Sequence, residues 1–146
     1  HSRDVLIRLG TEMRKKFGNA ILAVRMNEKI KQLKAQGTKN FVVDSIRNPG
    51  EINELRKNWD FALVAVHADP EIMFQRLLKR GRAGDAQTFE QFLEHEKKEN
   101  NHEGAGQQLD KCIEMADKVI NSNGTIEDAN NEVDGYLDSL RKGNSG

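Results

Sequence analysis

Phe41-Val42-Val43-Asp44-Ser45-Ile46-Arg47-Asn48-Pro49-Gly50-Glu51 passes from a short apolar, β-rich run into a helix start. Phe41–Ile46 reads as a buried strand, since a run of this kind suits a strand covered on both faces. Asn48 then supplies a capping side chain, Pro49 fits the first helical turn, and Glu51 stands where a capping-box carboxylate reaches back. Ile52 and Leu55 give the buried face of a short helix. The same order recurs downstream. Phe61–His67 is a second buried strand, and Asp69-Pro70-Glu71 again sets cap, proline and acid before a helix. Met73, Phe74, Leu77 and Leu78 carry that helix to Gly81. Val119-Ile120 is the core of a third, short strand. Asn123-Gly124 is a turn, and Thr125 caps a last helix with Ile126, Ala129, Val133, Tyr136, Leu137 and Leu140 at helical spacing. Alternating strands and helices predict an α/β fold: a parallel sheet flanked by helices.

Outward from this centre the chain is helix-rich. Val5, Leu6, Leu9, Met13 and Phe17 recur at three- and four-residue steps before Gly18. A second helix is predicted over Ala20–Gln36, burying Leu22, Met26, Ile30 and Leu33, with Gly37 as its left-handed stop. Thr88 opens another helix, with Gln91 three residues on. Glu94–Gln107 is charged or small and reads as an exposed helix end and loop. Leu109, Cys112, Ile113 and Met115 mark a further helix. These elements make one domain over 1–142, with 143–146 as a flexible tail.

Composition narrows the function classes. The chain has 146 residues, with 23 Lys+Arg against 23 Asp+Glu, so its formal net charge is zero. The charges are interspersed, and no basic stripe alternates with aromatics, which argues against nucleic acid as the partner. No apolar run approaches the ~18–20 residues of a membrane span. The His-Ser-Arg-Asp start lacks the apolar core of a signal peptide, and a cytoplasmic protein is expected. The single cysteine excludes an internal disulfide and a Cys-based zinc site. His95 and His102 stand seven residues apart and form no chelating pair.

Parallel α/β sheets place ligands beyond the carboxyl ends of their strands. Here those positions are Asp44–Arg47, His67–Asp69 and Asn121–Thr125. Asp44 can hold Mg²⁺ through water, or it can simply cap the next turn. Arg47 can fork onto a phosphate, or it can be a surface charge. Arg76, Lys79, Arg80 and Arg82 crowd one helix end. The dipole favours cations there, but with Gly81 and Gly84 alongside they also suit a mobile lid that clamps a phosphoryl group. Cys112 lies on an apolar face and reads as core.

The ordered set of strings Val43–Glu51, Ala68–Glu71, Arg80-Gly81-Arg82 with Gly84-Asp85, Thr88–Phe92, Gly106–Gln108, Ala116-Asp117 and Asn123–Thr125 resembles the P-loop nucleotide and small-molecule kinases of the dephospho-CoA kinase-like and adenylate kinase-like group. The resemblance spans nearly the whole chain. It implies ATP-dependent phosphotransfer to a small acceptor, with ATP and Mg²⁺ as cofactors. Asp44 would sit beside the acceptor and the magnesium, and Arg47 on the acceptor phosphate. Arg80 and Arg82 would stabilise the phosphoryl group in transfer, and Asn123 and Gly124 would lie near the adenine ring. One departure is severe. The Gly-x-x-x-x-Gly-Lys-Ser/Thr loop that cradles the phosphates is absent, so a kinase-like domain without its first strands, inactive as it stands, is expected. An alternative is a module on the same scaffold that binds an anionic ligand without turnover. Loss of a central strand also predicts a three-stranded sheet repaired by direct pairing or by self-association.

Overall fold

Caps set some of the helix boundaries along this chain, although Asp69, read as a cap, makes no side-chain capping hydrogen bond. In the computed structural model, which describes residues 3–82, 84–100 and 104–143, helix α1 runs over Arg3–Phe17 and α2 over Ile21–Ala35. The turn closing α2 is a Schellman motif: Gly37, at φ +97°, donates its amide to the Lys34 carbonyl, and Thr38 donates to that of Leu33. Helix α3 (Pro49–Asn58) starts as its sequence predicts, inside a capping box. Asn48 Oδ1 accepts from the Gly50 amide at 2.9 Å, and Glu51 Oε2 accepts from the Asn48 amide at 3.2 Å.

After α3 come β1 (Val64–His67), α4 (Pro70–Arg80), α5 (Phe89–Glu99), α6 (Leu109–Glu114), β2 (Lys118–Asn121) and α7 (Ile126–Gly143). Gly81 ends α4 at φ +60°, a left-handed position that costs glycine little. The last helix extends through Gly143, the first residue of the predicted tail; 144–146 lie outside the described residues.

Strands β1 and β2 pair in parallel, in the register Val64↔Lys118 to His67↔Asn121. Asp117 pins the entry to the pair, because its carboxylate accepts the Leu63 amide at 2.7 Å while its own amide donates to the Leu63 carbonyl. Parallel pairing agrees with the alternation in the sequence, but the sheet has two strands among the described residues. The predicted three-stranded sheet is corrected on this point. Phe41–Ile46 forms no ladder. It keeps the period-two alternation of a strand: Phe41 and Val43 pack on the core while Val42 between them is 97% exposed. A strand, however, is defined by a hydrogen-bonded neighbour, and propensity cannot supply one.

The chain divides into two compact units, one of His1–Ala62 with His95–Met115 and the other of Leu63–Glu94 with Ala116–Gly146. In the first, Ala23, Ile30 and Leu55 form a core against which Phe41, Val43, Ile46, Trp59 and Phe61 pack. Its α2 face differs from the predicted one. Met26 is exposed, and Asn27 is buried in the stripe instead. The amide is satisfied there: Trp59 Nε1 donates to Asn27 Oδ1 at 2.7 Å, and Asn27 Nδ2 donates to Glu54 at 3.1 Å. In the second unit, Phe74, Ala86 and Phe92 form the core, with Met73, Leu77 and Phe89 around it.

Candidate functional site

In the first unit the chain turns at Asp44–Asn48. Asp44 Oδ1 accepts the Ser45 amide at 2.6 Å, and Ser45 takes φ +66°. A residue with a Cβ holds that left-handed conformation at a cost of about 1–2 kcal/mol, and such strain gathers at functional positions. Arg47 follows, half-buried, with Nη1 donating to Gln107 Oε1 at 3.2 Å.

Beneath this turn lies a buried ion pair that the sequence reading missed. Arg14 of α1 donates Nε and Nη2 to Glu51 Oε1 at 2.9 and 2.6 Å, and the two side chains are 3% and 4% exposed. The other oxygen of Glu51 accepts the amides of Arg47 and Asn48. One carboxylate thus neutralises a buried guanidinium and fixes the backbone on which Arg47 stands.

The Gly104–Gln108 segment joins the same turn, correcting its expected reading as exposed loop. Gln107 and Gln108 are buried. Asn48 Nδ2 donates to the Gly106 carbonyl at 3.0 Å, and the Gln108 amide donates to the Arg47 carbonyl at 2.8 Å. A polar sequence gives no burial signal when its burial rests on backbone partners.

Cys112 is buried nearby, as expected of a core residue. Its thiol is pushed up to about 11 from the ordinary 9.0, first by burial and then by the Glu51 charge, with Arg14 opposing. A raised folded-state value means that the stability tied to the neutral thiol is complete below pH 9 and drains away as pH rises from 9 towards about 11. The native thiol is therefore expected to resist Ellman's reagent at mildly alkaline pH and to react once urea unfolds the chain. Prompt reaction of the folded protein would contradict this placement.

In the second unit the carboxyl ends of β1 and β2 lie together. The Ser122 amide donates to the His67 carbonyl, and Asn123 Oδ1 accepts the Asp69 amide at 2.8 Å. Arg76 ties down the same loop, donating to Ser122 Oγ and to the Gly124 carbonyl, each at 3.0 Å. This separates Arg76 from the clamp expected of the α4 cations: it orders the Asn123-Gly124 turn. Thr125 caps α7 together with Asp128, whose carboxyl is held below its ordinary value by hydrogen bonds from the Thr125 hydroxyl and amide.

Arg80 and Arg82 do come together, on a single acceptor. Arg80 donates Nη2 to Asp85 Oδ1 at 2.7 Å and Nε to Oδ2 at 3.2 Å, and the Arg82 amide donates to Oδ2 at 3.3 Å. Gly81 and Gly84 both take positive φ here, at +60° and +88°. Arg82, Gly84, Asp85 and Gln87 line a hollow of about 340 Å³ beside Leu77 and Leu78. Ala86 anchors the segment from below by packing into the Phe74 cluster.

For Mg²⁺ the fit is narrow. No group of three or more His, Cys, Asp or Glu residues able to hold a metal exists among the described residues. Asp44 by itself suits an ion that keeps its waters and takes its remaining ligands from substrate phosphates. No helix among the described residues is long and apolar enough to cross a membrane.

The chain is similar to UPF0200 proteins. It is 31% identical over 129 residues to one from Methanocaldococcus jannaschii, matching 88% of this chain and 62% of the relative. It is 36% identical over 112 residues to one from Pyrococcus furiosus, matching 75% and 57%. With one from Thermococcus kodakarensis it shares 30% identity over 142 residues, 95% of this chain and 74% of the relative. The chain thus spans less than two thirds of the length of the first two of these relatives. No family model and no solved structure matches it.

Proposed function

The chain belongs to the UPF0200 family, and on that premise we propose that it carries the acceptor- and phosphoryl-binding part of an ATP-dependent kinase for a small acceptor, of nucleoside monophosphate or dephospho-CoA type. One observation carries the reading: the Arg80 guanidinium and the Arg82 amide converge on one two-oxygen anion in a glycine-bracketed turn. In phosphoryl transfer the protein mainly positions groups and neutralises charge, and this donor set has the forked form that recognises phosphate oxygens.

The candidate residues outside that turn would have roles of their own. Arg47, on a backbone fixed by Glu51, would bind the acceptor phosphate. Asp44 would meet Mg²⁺ through water, and the Arg76-tied turn at Asn123 and Gly124 would face the base of a nucleotide. Because the Gly-x-x-x-x-Gly-Lys-Ser/Thr string is missing from these 146 residues, the chain is expected to bind phosphoryl groups without turning over ATP.

Isothermal titration with inorganic pyrophosphate tests the reading. Wild-type chain is expected to bind, and the Arg80→Ala variant, which removes the guanidinium while the Arg82 amide remains, to bind at least about tenfold more weakly with an unchanged circular dichroism spectrum. Equal binding by the two would sink it.

A further inference from the structure

We infer that Asp85 is an internal competitor for the anion site formed by Arg80 and Arg82. The inference rests on the phosphoryl-binding reading of those two residues and adds what governs their affinity. The carboxylate of Asp85 accepts from Arg80 Nη2 at 2.7 Å, Arg80 Nε at 3.2 Å and the Arg82 amide at 3.3 Å. It therefore stands where one face of a phosphoryl group would engage the same donors.

The pair is built asymmetrically. The Asp85 side chain is 9% exposed, whereas that of Arg80 is 42% exposed, so the guanidinium is open to an incoming anion while the carboxylate lies inside. A hollow of about 340 Å³ lined by Gly81, Arg82, Gly84, Asp85 and Gln87 lies against the Arg82–Asp85 turn. Displacing Asp85 has a cost for the ligand, because a carboxylate only 9% exposed loses its donors. A ligand with more charge than one carboxylate can win the exchange. A singly charged one gains almost nothing from it, so the site selects for multiply charged phosphoryl groups.

Backbone contacts keep Asp85 in position independently of its charge. Its carbonyl accepts Gln87 Nε2 at 2.9 Å, and its amide donates to the Arg82 carbonyl. These main-chain contacts do not depend on the carboxylate charge, so they persist when the side chain is neutralised.

The test is isothermal titration of the 146-residue chain with inorganic pyrophosphate, comparing wild type with Asp85→Asn and Asp85→Ser. Both variants are expected to bind about five- to tenfold more tightly than wild type. Equal or weaker binding by both, while wild type still binds, would overturn the competition and leave the phosphoryl-binding reading standing. Absence of binding in all three chains would overturn both. A measurement on unsubstituted protein guards against misfolding of the variants: in ¹⁵N-resolved spectra, pyrophosphate should shift the Arg80 Nε–H and Arg82 N–H resonances together. If binding leaves both resonances unmoved, the competition is wrong.

Discussion

Glu51→Ala is expected to destabilise the chain by about 3–5 kcal/mol, the cost of leaving a buried charge without its partner. Four donors lose their acceptor at once: Arg14 Nε and Nη2 and the amides of Arg47 and Asn48. The stranded guanidinium dominates, since Arg14 is 4% exposed and cannot reach water without moving α1. Typical domains are stable by only about 5–15 kcal/mol, so a large share of the stability would go. Glu51→Gln should recover little, as it keeps an oxygen but not the charge. Replacing both partners with apolar residues, Arg14→Met with Glu51→Leu, should recover much of the loss. Urea unfolding followed by circular dichroism measures all three. A loss below about 1 kcal/mol for Glu51→Ala would show the pair to be hydrated.

Phe74→Ala is expected to cost a similar amount in the second unit, about 3–5 kcal/mol. The ring lies 5.6 Å from Phe89 and 5.8 Å from Phe92, both tilted, and those two rings stack at 6.1 Å. Tilted and offset pairs add about 0.5–1.5 kcal/mol beyond burial. Ala86 packs into the same cluster and sits next to Asp85, so the cavity would loosen the turn that positions Arg82. Pyrophosphate affinity should therefore fall along with stability. Stability lost with affinity intact would show that the turn is held by its hydrogen bonds alone.

Local signals in the sequence transferred well. Asn48, Pro49 and Glu51 start α3 as their chemistry requires, Gly37 and Gly81 stop their helices in left-handed conformations, and Thr125 caps α7. Each is decided within a few residues of chain. Non-local pairing was legible in part: the parallel sense of β1 and β2 followed from the alternation, but the lack of a ladder at 41–46 did not. The run at 41–46 has the composition of a strand and alternates like one, but ladder partners cannot be read from one segment. Asn27 illustrates a second limit: a polar side chain joins the core stripe of α2 only because Trp59, thirty-two positions away, donates to it. Arg14 was hidden for the same reason, as its partner Glu51 already had a full local explanation as a cap. Arg80 and Arg82 were singled out as arginine side chains of one clamp, but what shares an acceptor is the Arg80 guanidinium and the Arg82 main-chain amide. The acceptor that joins them was not legible, because nothing in the sequence marks Asp85 as their partner.

The bond between Trp59 and Asn27 also makes the protein self-reporting. Trp59 is the sole tryptophan of the chain, it sits among the core residues of the first unit, and the Lys34 ammonium lies 5.3 Å above its ring. Indole fluorescence therefore watches one unit only, whereas the phenolic emission of Tyr136, the single tyrosine, originates in the other. Two intrinsic chromophores, one per unit, allow the melting of each half to be recorded separately without attaching a label.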